Sequence, residues 1–240
     1  MRKQIESAAF SYMEHLLATF ATDGRRKFHD VARFPWIREL EQNYDTIHQE
    51  VEALCAEPGA IPFVEDVHPH ERSIVADAQW KTFFLHAFGN PLEENLKKCP
   101  GTAALLQRVP NIVLAFFSIL QPGAKLKPHR GIYKGVLRYH LGIEIPMTKE
   151  KCGLSVAGNY MPWANGSSFV FDDTFEHFAQ NESDNPRAIL IIDFEREVPF
   201  WLRGLNRAVI SSIGRSDFVQ NSLAAVDRRG VAASGPKSLY

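Results

Sequence analysis

Two histidines occupy settings where ligand chemistry is plausible. His129 follows a Pro-Gly turn in PGAKLKPHRGIYKG, and His177 closes the acidic, aromatic run FVFDDTFEH. Both fall at the ends of stretches that read as strands, and the mouth of a β-barrel is where ligands gather. Neutral imidazole binds iron(II), and open coordination positions are what an oxygenase needs. Most of the nine histidines have no such setting and read as ordinary polar residues. Arg187 opens RAILIIDF, shortly after His177, and alternation would point it inward with Ile189 and Ile191. A buried guanidinium needs a partner. A dicarboxylate co-substrate fits that need, because arginine can grip a carboxylate through two bonds. A structural ion pair with Asp193 is the plainer alternative. Arg138 and His140 share the polar face of VLRYHLGIEI and could serve a second carboxylate.

Strands must position these groups. NIVLAFFSIL is apolar and β-rich, and Gln121-Pro122-Gly123 marks a turn after it. In VLRYHLGIEI, Leu137, Tyr139, Leu141, Ile143 and Ile145 share one face, with Arg138, His140, Gly142 and Glu144 on the other. SSFVF and RAILIIDF add two more strands. Helices come first: one over residues 2–20 with Ile5, Ala9, Tyr12, Leu16 and Phe20 in line, then one after Pro35 carrying Ile37, Leu40, Tyr44, Ile47, Val51 and Leu54. Residues 91–109 read as short helices around Pro100-Gly101. FWLRGLNRAVISSIG, after Pro199, reads as an amphipathic helix with Trp201, Leu205, Val209 and Ile213 in line. The expected fold is mainly β with flanking helices. Its core is a double-stranded β-helix (jelly roll, cupin-like) buttressed by N-terminal helices. Residues 1–215 are expected to form one domain: a helical part over 1–109, a β core over 110–198 and a helix over 199–214. A loosely ordered tail over 216–240 follows.

The 240 residues, 45% hydrophobic, are enough for a core that folds without staples. A formal net charge of −1 provides no basic field for nucleic acid. Cys55, Cys99 and Cys152 are odd in number and far apart, which suggests neither a disulfide framework nor a zinc ribbon. The N-terminus mixes charges into its apolar positions, unlike a secretory leader, and no apolar run is long enough to span a bilayer. The expectation is a cytoplasmic protein. Peripheral contact at the inner face of the membrane stays open, through Arg203 and Arg207 beside the apolar residues of the last helix. Packing of that helix on the barrel is the competing reading.

Several segments, in order, carry a family resemblance: FPWIRELEQNYDTI, WKTFFL, AFFSILQPGAKLKPHRG, GVLRYHLGIEIP and FVFDDTFEHFAQN…NPRAIL. From about Phe34 to Asp193 the chain resembles the aspartyl/asparaginyl β-hydroxylases. WKTFFLHAFG, KKCPGT and HRGIYKGVLRYHLG look most like bacterial lipid A 2-hydroxylases. The resemblance implies a dioxygenase using Fe(II), 2-oxoglutarate as co-substrate and O₂ to hydroxylate an unactivated C–H bond. It implies His129 and His177 as iron ligands, with glycine (Gly131) where an H-x-D/E motif would put a third, acidic ligand. Asp173 matches a position that holds water beside the metal. Ser118, Arg138, His140 and Arg187 match the 2-oxoglutarate contacts, and Trp80 matches an aromatic position near the site or is simply a core tryptophan. The implied substrate is an acyl chain of lipid A, at carbon 2. An amino acid, a peptide or a natural-product intermediate is the alternative. Glycine in the H-x-G position is also found in iron halogenases, and a non-catalytic cupin-like metal- or 2-oxoglutarate-binding domain is a further option.

Overall fold

Alternation along the strands sets the architecture. In the computed structural model, residues 2–64, 79–146, 151–217, 219, 220 and 224 are described, with side chains from Phe10 onward. The major sheet is antiparallel in the order β1-β8-β5-β10-β4-β2-β3 and the minor sheet in the order β7-β6-β9. The strands are β1 Phe28–His29, β2 Trp80–Ala87, β3 Asn90–Pro91, β4 Ile112–Leu120, β5 Val136–Glu144, β6 Cys152–Val156, β7 Asn159–Pro162, β8 Ser168–Phe171, β9 His177–Asn181 and β10 Arg187–Glu195. Inward residues Phe84, Phe116, Ile189 and Ile191 of the major sheet meet Leu154, Val156 and Ala179 of the minor one. The result is the expected jelly roll.

Outward residues of the same strands (Phe117, Leu141, Leu190 and Ile192 among them) pack against helices α2 (Pro35–Gln42) and α3 (Tyr44–Ala56). Those helices bury Trp36, Ile37, Leu40, Ile47, Val51 and Leu54, with Tyr44 of the expected stripe half-buried against the same core and Trp36 added to it. They are two helices rather than one, because Asn43 lies between them with its side-chain amide and its backbone N–H both donating to the Glu39 carbonyl. An asparagine that competes for backbone groups in this way interrupts a helix. Short helices α4 (Glu93–Lys98) and α5 (Pro100–Leu106) follow β3. The Glu50 carboxylate accepts from Gly101 N and Thr102 N at 2.6 and 2.9 Å, capping α5 with a negative charge at its N-terminus.

Three expectations need correction. The first 109 residues are not all helical, since Trp80–Ala87 forms β2 beside β4. Its Thr82 and Phe84 face the cavity while Phe83 and Leu85 face the helices, so both sides are buried and no polar alternation marks it as a strand. On α1 (Arg2–Phe20) Phe10, Met13 and Leu17 pack together with Leu16 of the expected stripe, whereas Tyr12 and Phe20 of that stripe are exposed. On α6 (Phe200–Gly214) Leu202 and Asn206 are buried and Val209 and Ile213 of the expected stripe pack beside them, while Trp201 and Leu205 of that stripe are exposed. Both helices are apolar on more than one side, and their mutual packing around Tyr133 selects which side is covered. The expected loose tail lies largely outside the described residues, though Val219 is buried.

Candidate active site

The two histidines face each other because of a bulge. Ala124 and Leu126 pair with Asn181 and Ala179, extending the minor sheet alongside β9. Pro128, which has no N–H, interrupts this ladder. Pairing resumes one residue out of step, where His129 and His177 exchange backbone bonds of 3.0 and 2.9 Å. Their rings end with centroids 4.2 Å apart. Each ring is also oriented by its own backbone: His129 Nδ1 donates to Lys127 O at 2.7 Å and His177 Nδ1 to Phe175 O at 2.9 Å. That tautomer leaves both Nε2 lone pairs available to a metal. Burial, reinforced by His129 and then Arg138, pulls the His177 pKa down to about 3. Burial also lowers that of His129, so both imidazoles are neutral near pH 7.

No cluster of three or more metal-ligating His, Cys, Asp or Glu side chains exists among the described residues. Gly131 explains the missing carboxylate: a Cβ at this position would collide with the carboxyl group of Asp173. Asp173 is buried, lies 3.3 Å from Arg138 and leaves Oδ1 without a partner. Burial raises its pKa to about 7, against the pull of Arg138 and with the push of Asp193. Its neighbour Asp172 behaves oppositely. Burial alone would raise its pKa too, but Arg196, Lys134 and Thr174 hold it below the ordinary value. The contacts of Asp172 with Lys134 and Arg196, at 2.6 and 2.5 Å, make it structural.

Arg187 is fully buried beside Ser118, donating to its backbone oxygen at 3.2 Å, and stacks over Trp163 at 4.3 Å. Asp193 does not pair with it. Arg138 takes Asp193 instead, through two bonds of 2.6 and 2.7 Å, because the two residues are register partners on β5 and β10. Arg187 Nε therefore has no partner, and burial lowers the guanidinium pKa to about 10. The Ser118 hydroxyl accepts from Trp80 Nε1 at 2.9 Å, which gives Trp80 a polar role beyond packing. His140 Nδ1 accepts from Trp163 Nε1 at 3.3 Å, so its unpartnered Nε2 carries the proton. Trp163 and Thr82, whose Oγ1 is also unpartnered, were not singled out from sequence. YMPWANG has no periodicity to place its tryptophan, and Thr82 lies in the strand that carried no alternation signal.

These groups line one cavity of about 290 Å³ between the sheets. Arg187, Ser118, Thr82 and Trp80 stand at one end, with the histidine pair, Asp173, Arg138 and His140 further along. Further along the same strands the lining becomes largely apolar, with Ala87, Phe88, Leu114, Val136 and the α6 residues Ile210 and Ile213, joined by Arg130, Tyr133 and Asp193. Four unpartnered buried polar atoms face this single space: Thr82 Oγ1, His140 Nε2, Asp173 Oδ1 and Arg187 Nε. Such atoms are costly unless a ligand or water completes them. An unneutralised guanidinium with hydroxyl and imidazole donors nearby suits an anionic oxygen ligand, and the paired Nε2 atoms suit a divalent metal.

The family model described as aspartyl/asparaginyl beta-hydroxylase matches residues 41–197. The chain is 36% identical over 213 residues to an ornithine lipid ester-linked acyl 2-hydroxylase of Rhizobium tropici, covering 89% of this chain and 76% of that protein. It is 31% identical over 162 residues to the human aspartyl/asparaginyl beta-hydroxylase, covering 65% of this chain but only 20% of that protein. Among solved structures, a cupin-2 domain from Rhodospirillum rubrum aligns at 12% identity with a TM-score of 0.34, over 62% of this chain and 80% of that one.

Proposed function

The chain belongs to the aspartyl/asparaginyl β-hydroxylase family, and from that premise we propose that it is an iron(II)- and 2-oxoglutarate-dependent dioxygenase that hydroxylates the acyl chain of a lipid. Iron(II), 2-oxoglutarate and O₂ together supply the oxidising power to place a hydroxyl group on an unactivated C–H bond. The protein's part is to hold, orient and exclude. His129 and His177 hold the metal through Nε2. Arg187 receives one carboxylate of 2-oxoglutarate at the closed end, and Trp80 keeps the Ser118 hydroxyl turned beside it. His140, held in its tautomer by Trp163, donates Nε2–H toward the same ligand. Arg138, already paired with Asp193 and Asp173, stabilises those carboxylates. Asp173 occupies the space left by Gly131, and its Oδ1 can hold a water or a proton there. Ile189, Ile191, Leu154 and Phe116 keep bulk water from the reacting centre.

The observation that carries the acyl substrate is the largely apolar stretch of the cavity lining. Ala87, Phe88, Leu114, Val136, Ile210 and Ile213 give an acyl chain hydrocarbon to lie against, while Arg130, also on the lining, is the cation that an aspartyl substrate would use, so the substrate test carries both arms. The relative from Rhizobium tropici, named for acyl 2-hydroxylation, adds support for carbon 2 as the target. Ornithine lipid and lipid A are the two acyl lipids to try first. Each is incubated with the full chain, iron(II), 2-oxoglutarate and O₂, with an aspartyl peptide as a third arm. Mass spectrometry should find one added oxygen on an acyl chain, located at carbon 2 by fragmentation. Oxygen added to the peptide alone contradicts the acyl reading, and added chlorine would indicate a halogenase. Bound cofactors with neither product nor succinate would indicate a binding domain.

A further inference from the structure

Helices α1 and α6 leave a set of large apolar side chains uncovered. On α1, Tyr12 is 65% and Phe20 50% exposed; on α6, Phe200 is 82%, Trp201 52% and Leu205 50% exposed. Phe20 and Trp201 meet edge-on with ring centroids 5.4 Å apart, joining the two helices into one surface. Gly204 and Ala208 are also exposed, so the outer side of the first turns of α6 is apolar along its length. Scattered surface hydrophobes are ordinary, but a contiguous set marks an interaction or membrane site.

Charge selects the occupant. From Phe200 to Arg215 the chain carries Arg203, Arg207 and Arg215 and no aspartate or glutamate. Arg207 is engaged by Glu195, while Arg203 and Arg215 have no carboxylate partner among the described residues. Exposed aromatic and aliphatic side chains flanked by arginines are the signature of a helix that lies in the headgroup layer of an anionic bilayer. A second copy of this chain would bring the same arginines together, which like-charge repulsion disfavours. The opposite side of α6 adds a reason for docking there, because Ile210 and Ile213 line the cavity beside the metal site. Ile132, three residues after His129, also lines the cavity while remaining mostly exposed.

We propose that the α1–α6 surface docks on anionic lipid bilayers, with α6 serving both as the membrane contact and as a wall of the catalytic cavity. Docking is read without turnover, so it can fail while the hydroxylase reading stands, and the reverse. The full chain is sedimented with vesicles of phosphatidylcholine alone and of phosphatidylcholine with phosphatidylglycerol. Tryptophan emission gives a parallel signal, since Trp36, Trp80 and Trp163 are buried and Trp201 is the exposed one of four. Binding to the anionic vesicles should exceed binding to neutral ones by roughly tenfold or more, with a blue shift that W201F removes. F200S/W201S/L205S should weaken binding by roughly tenfold or more, and R203E/R215E should remove the anionic preference. G204L adds hydrocarbon where nothing lies within 4 Å of a Cβ, and should strengthen binding. Circular dichroism and a thermal melting transition unchanged from the wild type, measured without added ligand, show that the fold of each variant is intact. No binding to anionic vesicles, or equal binding by the triple serine variant, overturns the proposal. So does a concentration-dependent dimer that the triple variant abolishes in the absence of vesicle binding.

Discussion

The two faces of the major sheet are built from alternate residues of the same strands and are finished in opposite ways. Outward, Phe117, Leu141, Leu190 and Ile192 press apolar side chains onto α2 and α3. Inward, the adjacent residues Ser118, His140 and Arg187 carry polar groups into a cavity where several have no protein partner. A strand's period of two lets one sequence supply a stabilising face and a reactive face that mutate almost independently. The contrast recurs within the inner face. Arg138 is neutralised by Asp193, whereas Arg187, on the strand that carries that aspartate, is not.

The sharpest test of this contrast uses the two arginines. Arg187→Met removes a cation that no carboxylate compensates. Affinity for 2-oxoglutarate should fall by roughly 30-fold or more, while the ligand-free protein keeps or gains stability. Arg138→Met does the reverse, stranding Asp193 beside Asp173 and costing about 3–5 kcal/mol in chemical denaturation. Equal stability losses in both variants would break the distinction.

A smaller effect concerns the outer face. Leu190→Ala should cost about 2–5 kcal/mol of stability. Its folded fraction should bind 2-oxoglutarate as the wild type does, checked by calorimetry. Altered affinity would mean that the two faces are coupled.

The smallest effect is a pH dependence. His29, in β1, is buried with neither ring nitrogen partnered, and burial followed by Arg196 lowers its pKa to about 4. Its folded pKa lies below the unfolded 6.5, so the unfolded state binds more protons between those values. Stability is therefore fully present above pH 6.5 and declines as pH falls toward 4, by roughly 3 kcal/mol at most from this residue. H29F should flatten that decline in metal-free protein, and an unchanged slope would assign it to other groups.

The parts of this arrangement readable from sequence follow from strand period and turn chemistry. Alternation in VLRYHLGIEI and RAILIIDF puts Arg138, His140 and Arg187 inside, and the structure has all three lining the cavity. The Pro-Gly turns and the change from helical to strand spacing locate the β region. Pairing across strands is not readable in this way. Arg187 and Asp193 share one strand six residues apart, while Arg138 sits opposite Asp193, a fact of register. Trp163 meets His140 and Arg187 only through the fold. The stripes of α1 and α6 hold only in part, with Leu16, Val209 and Ile213 packed but Tyr12, Phe20, Trp201 and Leu205 exposed, because each helix is apolar around much of its circumference and periodicity cannot choose among several apolar sides.

The central claim is that His129 and His177 form a two-histidine iron site completed by 2-oxoglutarate rather than by a protein carboxylate. Anaerobic titration of the full chain with iron(II) and 2-oxoglutarate, followed by visible absorption, tests it directly. The account predicts a weak charge-transfer band that requires both additions, is absent in H129A and H177A, and is followed by succinate once O₂ is admitted. No band under iron-loaded, reducing conditions, or a band unchanged in either alanine variant, would contradict it.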